Sequence, residues 1–348
     1  MTGDRRCGAS ESRRRVLADG WYSWTVPGFC ALTDVVERWP RRLQLLMGRL
    51  GPLRALVLLV ASTQYDVVAV TRSDRGWRSF LLLRALLGRR RKLVVLHFID
   101  QPVRARGIGN RLDRAWRPVD RWATRRAMLA AQVLCGWEAG KYASAFGVAR
   151  ERFHFIPFAW RTRVTGAPRL GSSQELVIAA GRAFCDWPTL FAAARSTRWR
   201  LLVVCAEHDR ALVEQLNANG RARVLSDIPH EEARELLRDA AVCVLSMYDA
   251  GISQGHVRLC DAVDAGTAVV ASQTRSLEGY VENDHTAVLV APGDPDAMRR
   301  AIDELLGDRT KRERLARAAY ERAGAWTWDH YLAAIEAFAH GEETASSL

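Results

Sequence analysis

Short apolar runs alternate with longer amphipathic ones along most of this chain. In the first half, Tyr65–Val70, Lys92–His97 and Ala131–Cys135 read as buried strands, and Arg152–Pro157 as a last short one. Between them, Gly76–Leu87, Asn110–Ala131 and Trp137–Phe146 carry helical spacing, the last stopped by Gly147. Leu32–Val60 is also helical, cut into pieces by Pro40 and Pro52. Asp19–Gly28 is aromatic and turn-rich and is expected to form a loop.

The second half keeps the rhythm more cleanly. Strands are expected at Leu176–Ala180, Leu201–Cys205, Ala222–Leu225, Val242–Ser246, Ala268–Ala271 and Ala287–Val290. Helices fall between them at Thr189–Ser196, Arg210–Ala218, His230–Asp239 and Gly255–Ala265. Pro295–Leu306, Thr310–Arg322 and a final Trp328–Ala339 are helical too. Short apolar strands joined by helices of about ten residues imply parallel sheets with crossover connections, the doubly wound α/β class.

A length of 348 residues fits two such domains. Charge sharpens the division. Residues 1–170 hold 32 Lys and Arg against 12 Asp and Glu, a balance of +20, while residues 171–348 stand at −8. The expected organisation is a first domain over 1–165, with a disordered basic lead over 1–15. A second domain follows over 166–325, and a C-terminal helix over 326–348 packs back on the first. Arg161–Gln174 has linker composition. The basic half suggests an acidic partner. An anionic membrane surface is preferred to nucleic acid, whose binding modules interleave exposed aromatics with basic runs. Seven scattered cysteines without a C-x-x-C pair fit reduced thiols. No signal-peptide core follows the N-terminus, and the apolar run Ala55–Ala61 is too short to span a bilayer. A cytoplasmic protein is expected, with a peripheral place on the inner face of the cell membrane as an extension.

The most informative stretch is Gly251–Ser272. It reads as a glycine-bearing turn, a helix, a glycine stop and a buried strand. The turn directs backbone N–H groups at a helix N-terminus, a site for a phosphate. Asp261, two turns on, is an acceptor suited to sugar hydroxyls.

These ordered segments resemble the two-domain GT-B glycosyltransferases, and among them family four, over roughly residues 65–340. Asp261–Ser272 is similar to the family's Glu-Ala-x-x-x-Gly-x-Pro-Val-Val-Ala-Ser signature. Ala180-Gly181-Arg182, Ala240–Ser246, Glu278–Val281 and Ala287–Asp294 follow the family's order, and Phe146–Phe158 resembles its last strand before the linker. The resemblance implies two Rossmann-like domains with an interdomain cleft and a C-terminal crossover helix. It also implies transfer of a hexose-type sugar from a nucleotide diphosphate to a hydroxyl of a small-molecule, glycan or lipid-linked acceptor. That chemistry is metal-independent and retaining, with no cofactor beyond the donor.

Residue by residue, Arg182 matches the diphosphate-binding arginine, with Gly181 before it, and Asp261 the ribose-holding glutamate, one methylene shorter. Gly255, His256 and Val257 would offer amides to the phosphate, with Arg258 one step on. Ser246 ends the strand entering the donor pocket, and Glu278 is placed to meet sugar hydroxyls. His97 and Asp100, at a strand end in the first domain, are acceptor-side candidates. Two departures stand out. The family's first glutamate falls on Ser253, and its phosphate-binding lysine falls near Cys185, where Arg258 is a candidate substitute. Those losses keep two alternatives open: a non-catalytic relative acting as a partner protein, and a nucleotide-sugar epimerase.

Overall fold

The computed structural model describes residues 15–342 apart from 21, 38, 74–75, 89–91, 101–107 and 160–174. The expected lead, but for Arg15, and the expected linker Arg161–Gln174 lie outside the described residues. The chain forms two compact units. One runs to Pro157 and resumes at Tyr331, and the other is Phe158–His330. Each is built on a six-stranded sheet.

In the first unit the strands are β1 (Val16–Ala18), β2 (Phe29–Ala31), β3 (Val67–Thr71), β4 (Lys92–Leu96), β5 (Ala130–Val133) and β6 (Phe153–Phe155). Their order is β2-β1-β3-β4-β5-β6, and every pair is parallel. The helices are α1 (Tyr22–Thr25), α2 (Leu32–Val35), α3 (Arg41–Arg49), α4 (Gly51–Ala61), α5 (Trp77–Leu87), α6 (Ile108–Ala127) and α7 (Gly136–Phe146). Alternate strand residues such as Val68, Val70, Leu93 and Val95 enter one core with Phe80, Phe98 and Tyr142. Pro40 caps α3 and Pro52 lies in the first turn of α4, positions where a missing N–H is harmless. The loop expected over Asp19–Gly28 instead holds α1, between two strands absent from the sequence reading. Three-residue strands carry no usable periodicity. Val16–Ala18 is a strand because it lies in register with Val67–Ala69 on one side and Phe29–Ala31 on the other.

The second unit contains β7 (Leu176–Gly181), β8 (Arg200–Cys205), β9 (Ala222–Ser226), β10 (Val242–Leu245), β11 (Ala268–Ser272) and β12 (Val288–Val290). They are parallel in the order β12-β11-β10-β7-β8-β9. Its helices are α8 (Trp187–Ala194), α9 (Glu207–Leu216), α10 (His230–Asp239), α11 (His256–Ala265), α12 (Pro295–Gly307) and α13 (Arg309–Ala323). Asp294-Pro295-Asp296 spells an Asp-x-Asp, but its role is local: the Asp294 carboxylate accepts from Ala297 N at 2.9 Å and starts α12. Cys135, Cys185, Cys205, Cys243 and Cys260 are free. Among the described residues, no single helix is long and apolar enough to cross a membrane.

The last helix, α14 (Trp328–His340), belongs to the first unit from Tyr331 onward. Tyr331 is fully buried there. Its hydroxyl meets Tyr22 Oη at 2.5 Å and His97 Nε2 at 3.0 Å, and accepts from Gln132 Nε2 at 3.4 Å. One hydroxyl thus serves side chains from three separate parts of the sheet. Tyr331→Phe is expected to lower stability by about 1–3 kcal/mol, because it strands buried polar partners without making a cavity. Chemical denaturation of the full chain checks this, with hydrogen exchange locating the loosened amides near β4 and β5.

Candidate functional site

The second sheet reverses direction beside its first strand. From β7 the chain moves outward to β8 and β9, then returns to place β10 on the other flank of β7. Open parallel sheets form a crevice at such a switch point, outside the carboxyl ends of the two strands. Arg182 follows β7 and Ser246 follows β10 at that place.

The two strand-end loops are fastened together. Cys185 and Met247 form an antiparallel bridge. Asp186 N donates to Ser246 O at 2.9 Å, and Tyr248 N to Phe184 O at 3.0 Å. The buried Ser246 hydroxyl donates to Asp186 O at 2.8 Å, so this side chain braces the loop. Gly181 is required by close approach: a Cβ there would run into Cys185 Sγ. Burial pushes the Cys185 thiol up to about 12, Asp209 adds to the shift, and the Arg258 guanidinium opposes it.

Helix α11 opens at this seam. Its N-cap, Gly255, has φ +80°, and a Cβ on it would lie 2.5 Å from Met247 Sδ. No side chain caps the helix, and the positive end of its dipole lies at this seam. Val257 is half exposed beside it. The His256 side chain turns inward instead. Its Nε2–H donates to Ser276 O at 2.6 Å, and its ring stacks on Tyr280 with centroids 4.2 Å apart. Burial pushes its pKa down to about 4, so the ring is neutral at pH 7 and gives packing rather than charge. Ser253 and Gln254 are buried in the preceding turn, the Gln254 amide donating to Tyr248 O.

Asp261 is 1% exposed and lies at the centre of a charged cluster between α10 and α11. His230 Nε2 is 2.9 Å from its Oδ2, Arg258 Nη1 3.6 Å from the same oxygen, and Arg234 Nε 3.7 Å from Oδ1. Arg234 also holds Asp264. Asp261 Oδ1 and two Arg258 nitrogens, Nε and Nη1, are buried without a hydrogen-bond partner. Such atoms are costly to leave unsatisfied, and a bound hydroxyl or oxyanion would satisfy them.

Arg182 is two-thirds exposed and pairs with Asp227 at 2.6 Å. Glu278 is exposed and lies 3.7 Å from Arg275. In the first unit, His97 has φ +46° and is held through Nε2 by Tyr331. Asp100 accepts from Arg117 at 2.7 Å and lies 3.5 Å from Arg72. Arg72 in turn pairs with Asp120 at 2.6 Å and lies over the Phe98 ring. The structure thus gathers Gly181, Ser246, Ser253, Gly255, His256, Val257, Arg258 and Asp261 around the ends of β7 and β10, with Arg182 on the exposed side. It leaves Glu278 on an exposed turn, and it sets His97 and Asp100 in networks of the other unit.

Residues 191–322 match the family model described as glycosyl transferases group 1. Over that stretch the chain is similar to the group 1 glycosyl transferases. The chain is also similar to the D-inositol 3-phosphate glycosyltransferases of Corynebacterium diphtheriae and Salinispora tropica. They are 34% and 33% identical over 122 and 118 residues, which cover 35% and 34% of this chain. Those stretches span only 28% and 24% of the relatives' own length. In fold the whole chain resembles HepE from Anabaena, solved with UDP-glucose. The TM-score is 0.67 at 15% identity, covering 92% of this chain and 97% of that one. It also resembles sucrose-phosphate synthase from Thermosynechococcus elongatus, with TM-score 0.63 at 20% identity over 86% of this chain and 79% of that one. These likenesses establish the GT-B architecture.

Sequence reading missed the partners within the second unit: His230, Arg234, Asp264, Asp227 and Asp186. A usable signal existed. His230 and Arg234 are four apart on one helix and Asp261 and Asp264 three apart on the next, so each pair shares a face. The hydrogen bond to Asp261 raises the His230 pKa above its ordinary value, against burial and the nearby Arg234 and Arg258 charges. The stabilisation is therefore complete below the unfolded value of about 6.5 and is lost as pH rises through the folded one. The melting-temperature gap between the wild-type chain and His230→Gln is expected to be widest below about pH 6.5 and to narrow as the pH rises above it. A pH-independent gap would show that the imidazolium plays no part.

Proposed function

We propose that this chain is a glycosyltransferase that moves a hexose-type sugar from a nucleotide diphosphate to a hydroxyl acceptor, without a metal and with retention. The observation that carries the reading is the seam between β7 and β10. There an uncapped helix N-terminus stands beside a guanidinium with two buried nitrogens unsatisfied. The amides of α11 and Arg258 receive the diphosphate. Arg182 joins them by exchanging its exposed Asp227 partner, a small loss for a surface ion pair. Bidentate contact from these cations stabilises the charge that develops on the leaving group. Asp261, steadied by His230, accepts from the ribose through Oδ1. His97 and Asp100 position the acceptor side of the first unit, Glu278 meets the sugar, and the protein acts on the cytoplasmic side. The UDP-glucose complex of HepE makes uridine sugars the first donors to try.

The non-catalytic reading keeps one specific support, Ser253 in place of a carboxylate at the sugar end of the site. A thermal-shift panel of UDP, GDP, TDP and ADP sugars, followed by turnover assays, separates the two. A transferase is stabilised by at least one donor and consumes it. Arg258→Ala is expected to weaken donor binding by about 10–100-fold. Arg182→Ala is expected to slow transfer by about 100-fold or more with a smaller change in binding. Tight binding with no turnover on any acceptor favours the partner-protein reading, and no binding at all overturns both.

A further inference from the structure

Helix α3 stands off the core of the first unit. Of its nine residues only Met47 is buried. The chain turns by 115° between α3 and the following Gly51–Gln64 segment, whose helix α4 buries Ala55, Leu58 and Leu59 against the sheet. What α3 and its flanks turn outward is apolar: Trp39, Leu43, Leu45, Leu46 and Leu50 are 41–60% exposed. Isolated exposed leucines are ordinary, but a cluster of this kind marks an interaction surface.

The charge on this surface decides what it fits. Arg41, Arg42 and Arg49 are exposed, and among the described residues none of them is held in an ion pair. No Asp or Glu occurs between Glu37 and Asp66. Leucines alone would suit a protein partner or a second copy of the chain. A second copy would bring the same unneutralised arginines, within a half that carries +20, and like charges would oppose the contact. An anionic lipid surface satisfies both features at once.

We propose that α3 is an interfacial anchor lying on an anionic bilayer, with its leucines at the acyl boundary and its arginines among the lipid phosphates. Nine residues of helix reach about 14 Å, too short to cross a bilayer and suited to lying in its surface. The proposal stands on the first unit alone and gives the acceptor reading a place where a lipid-linked hydroxyl would be met.

The full chain is mixed with vesicles of phosphatidylcholine, alone or with about 30% phosphatidylglycerol, and sedimented. Binding is expected only with the anionic lipid, and it weakens as salt rises. Arg41→Gln, Arg42→Gln and Arg49→Gln are each expected to lower partitioning about fivefold. Leu45→Asp with Leu46→Asp lowers it about tenfold or more at an unchanged melting temperature. Equal binding to neutral vesicles, or full binding by the leucine variant, overturns the proposal. So does a dimer in ultracentrifugation that the leucine variant abolishes, which would assign the face to a second copy. Donor binding by the same variants is read separately by thermal shift and stays at the wild-type level, so failure of the anchor and failure of the transferase reading are told apart.

Discussion

The chemistry of the second unit depends on a few main-chain hydrogen bonds that join the loop after β7 to the loop after β10. A parallel sheet covered by helices has no polar face to offer. Its reactive surface is confined to the strand ends, and loose strand ends cannot hold a charged ligand in one geometry. Here the Cys185–Met247 bridge and the Asp186 and Tyr248 amides turn two loops into one platform. Met247 then presses on Gly255, which fixes where α11 begins.

The buried carboxylate of Asp261 shows how the same region manages charge. A lone buried anion would be strongly destabilising. Three basic side chains surround this one, yet one of its oxygens has no hydrogen bond. The cluster is electrostatically neutralised without being saturated in hydrogen bonds. That combination suits a site that must hold its shape empty and still have an acceptor left for an incoming hydroxyl.

Strand and helix positions were largely legible because burial on both faces produces unbroken apolar runs, as in Val242–Leu245 and Ala268–Ser272. Glycines at Gly255 and Gly266 marked the ends of α11, both with positive φ. The three-residue strands β1 and β2 were not legible, since pairing rather than pattern defines them. Within the site, the backbone features were readable and the side-chain states were not. His256 and Ser246 have the right chemistry for ligands but spend it on Ser276 O and Asp186 O. Two of the basic partners of Asp261, His230 and Arg234, come from a helix some thirty residues earlier, and although their spacing marks a shared face, only the fold brings that face to Asp261.

The first unit is discontinuous in sequence, and this bears on how the protein is made. Its sheet is complete by Phe155, but the hydroxyl shared by Tyr22, His97 and Gln132 arrives with Tyr331. On the ribosome, the opening half must wait through synthesis of the entire second unit before its last helix is available. Until then the hydroxyl that Tyr331 brings to Tyr22, His97 and Gln132 is missing. The arrival of α14, rather than the end of the first sheet, completes this half of the molecule.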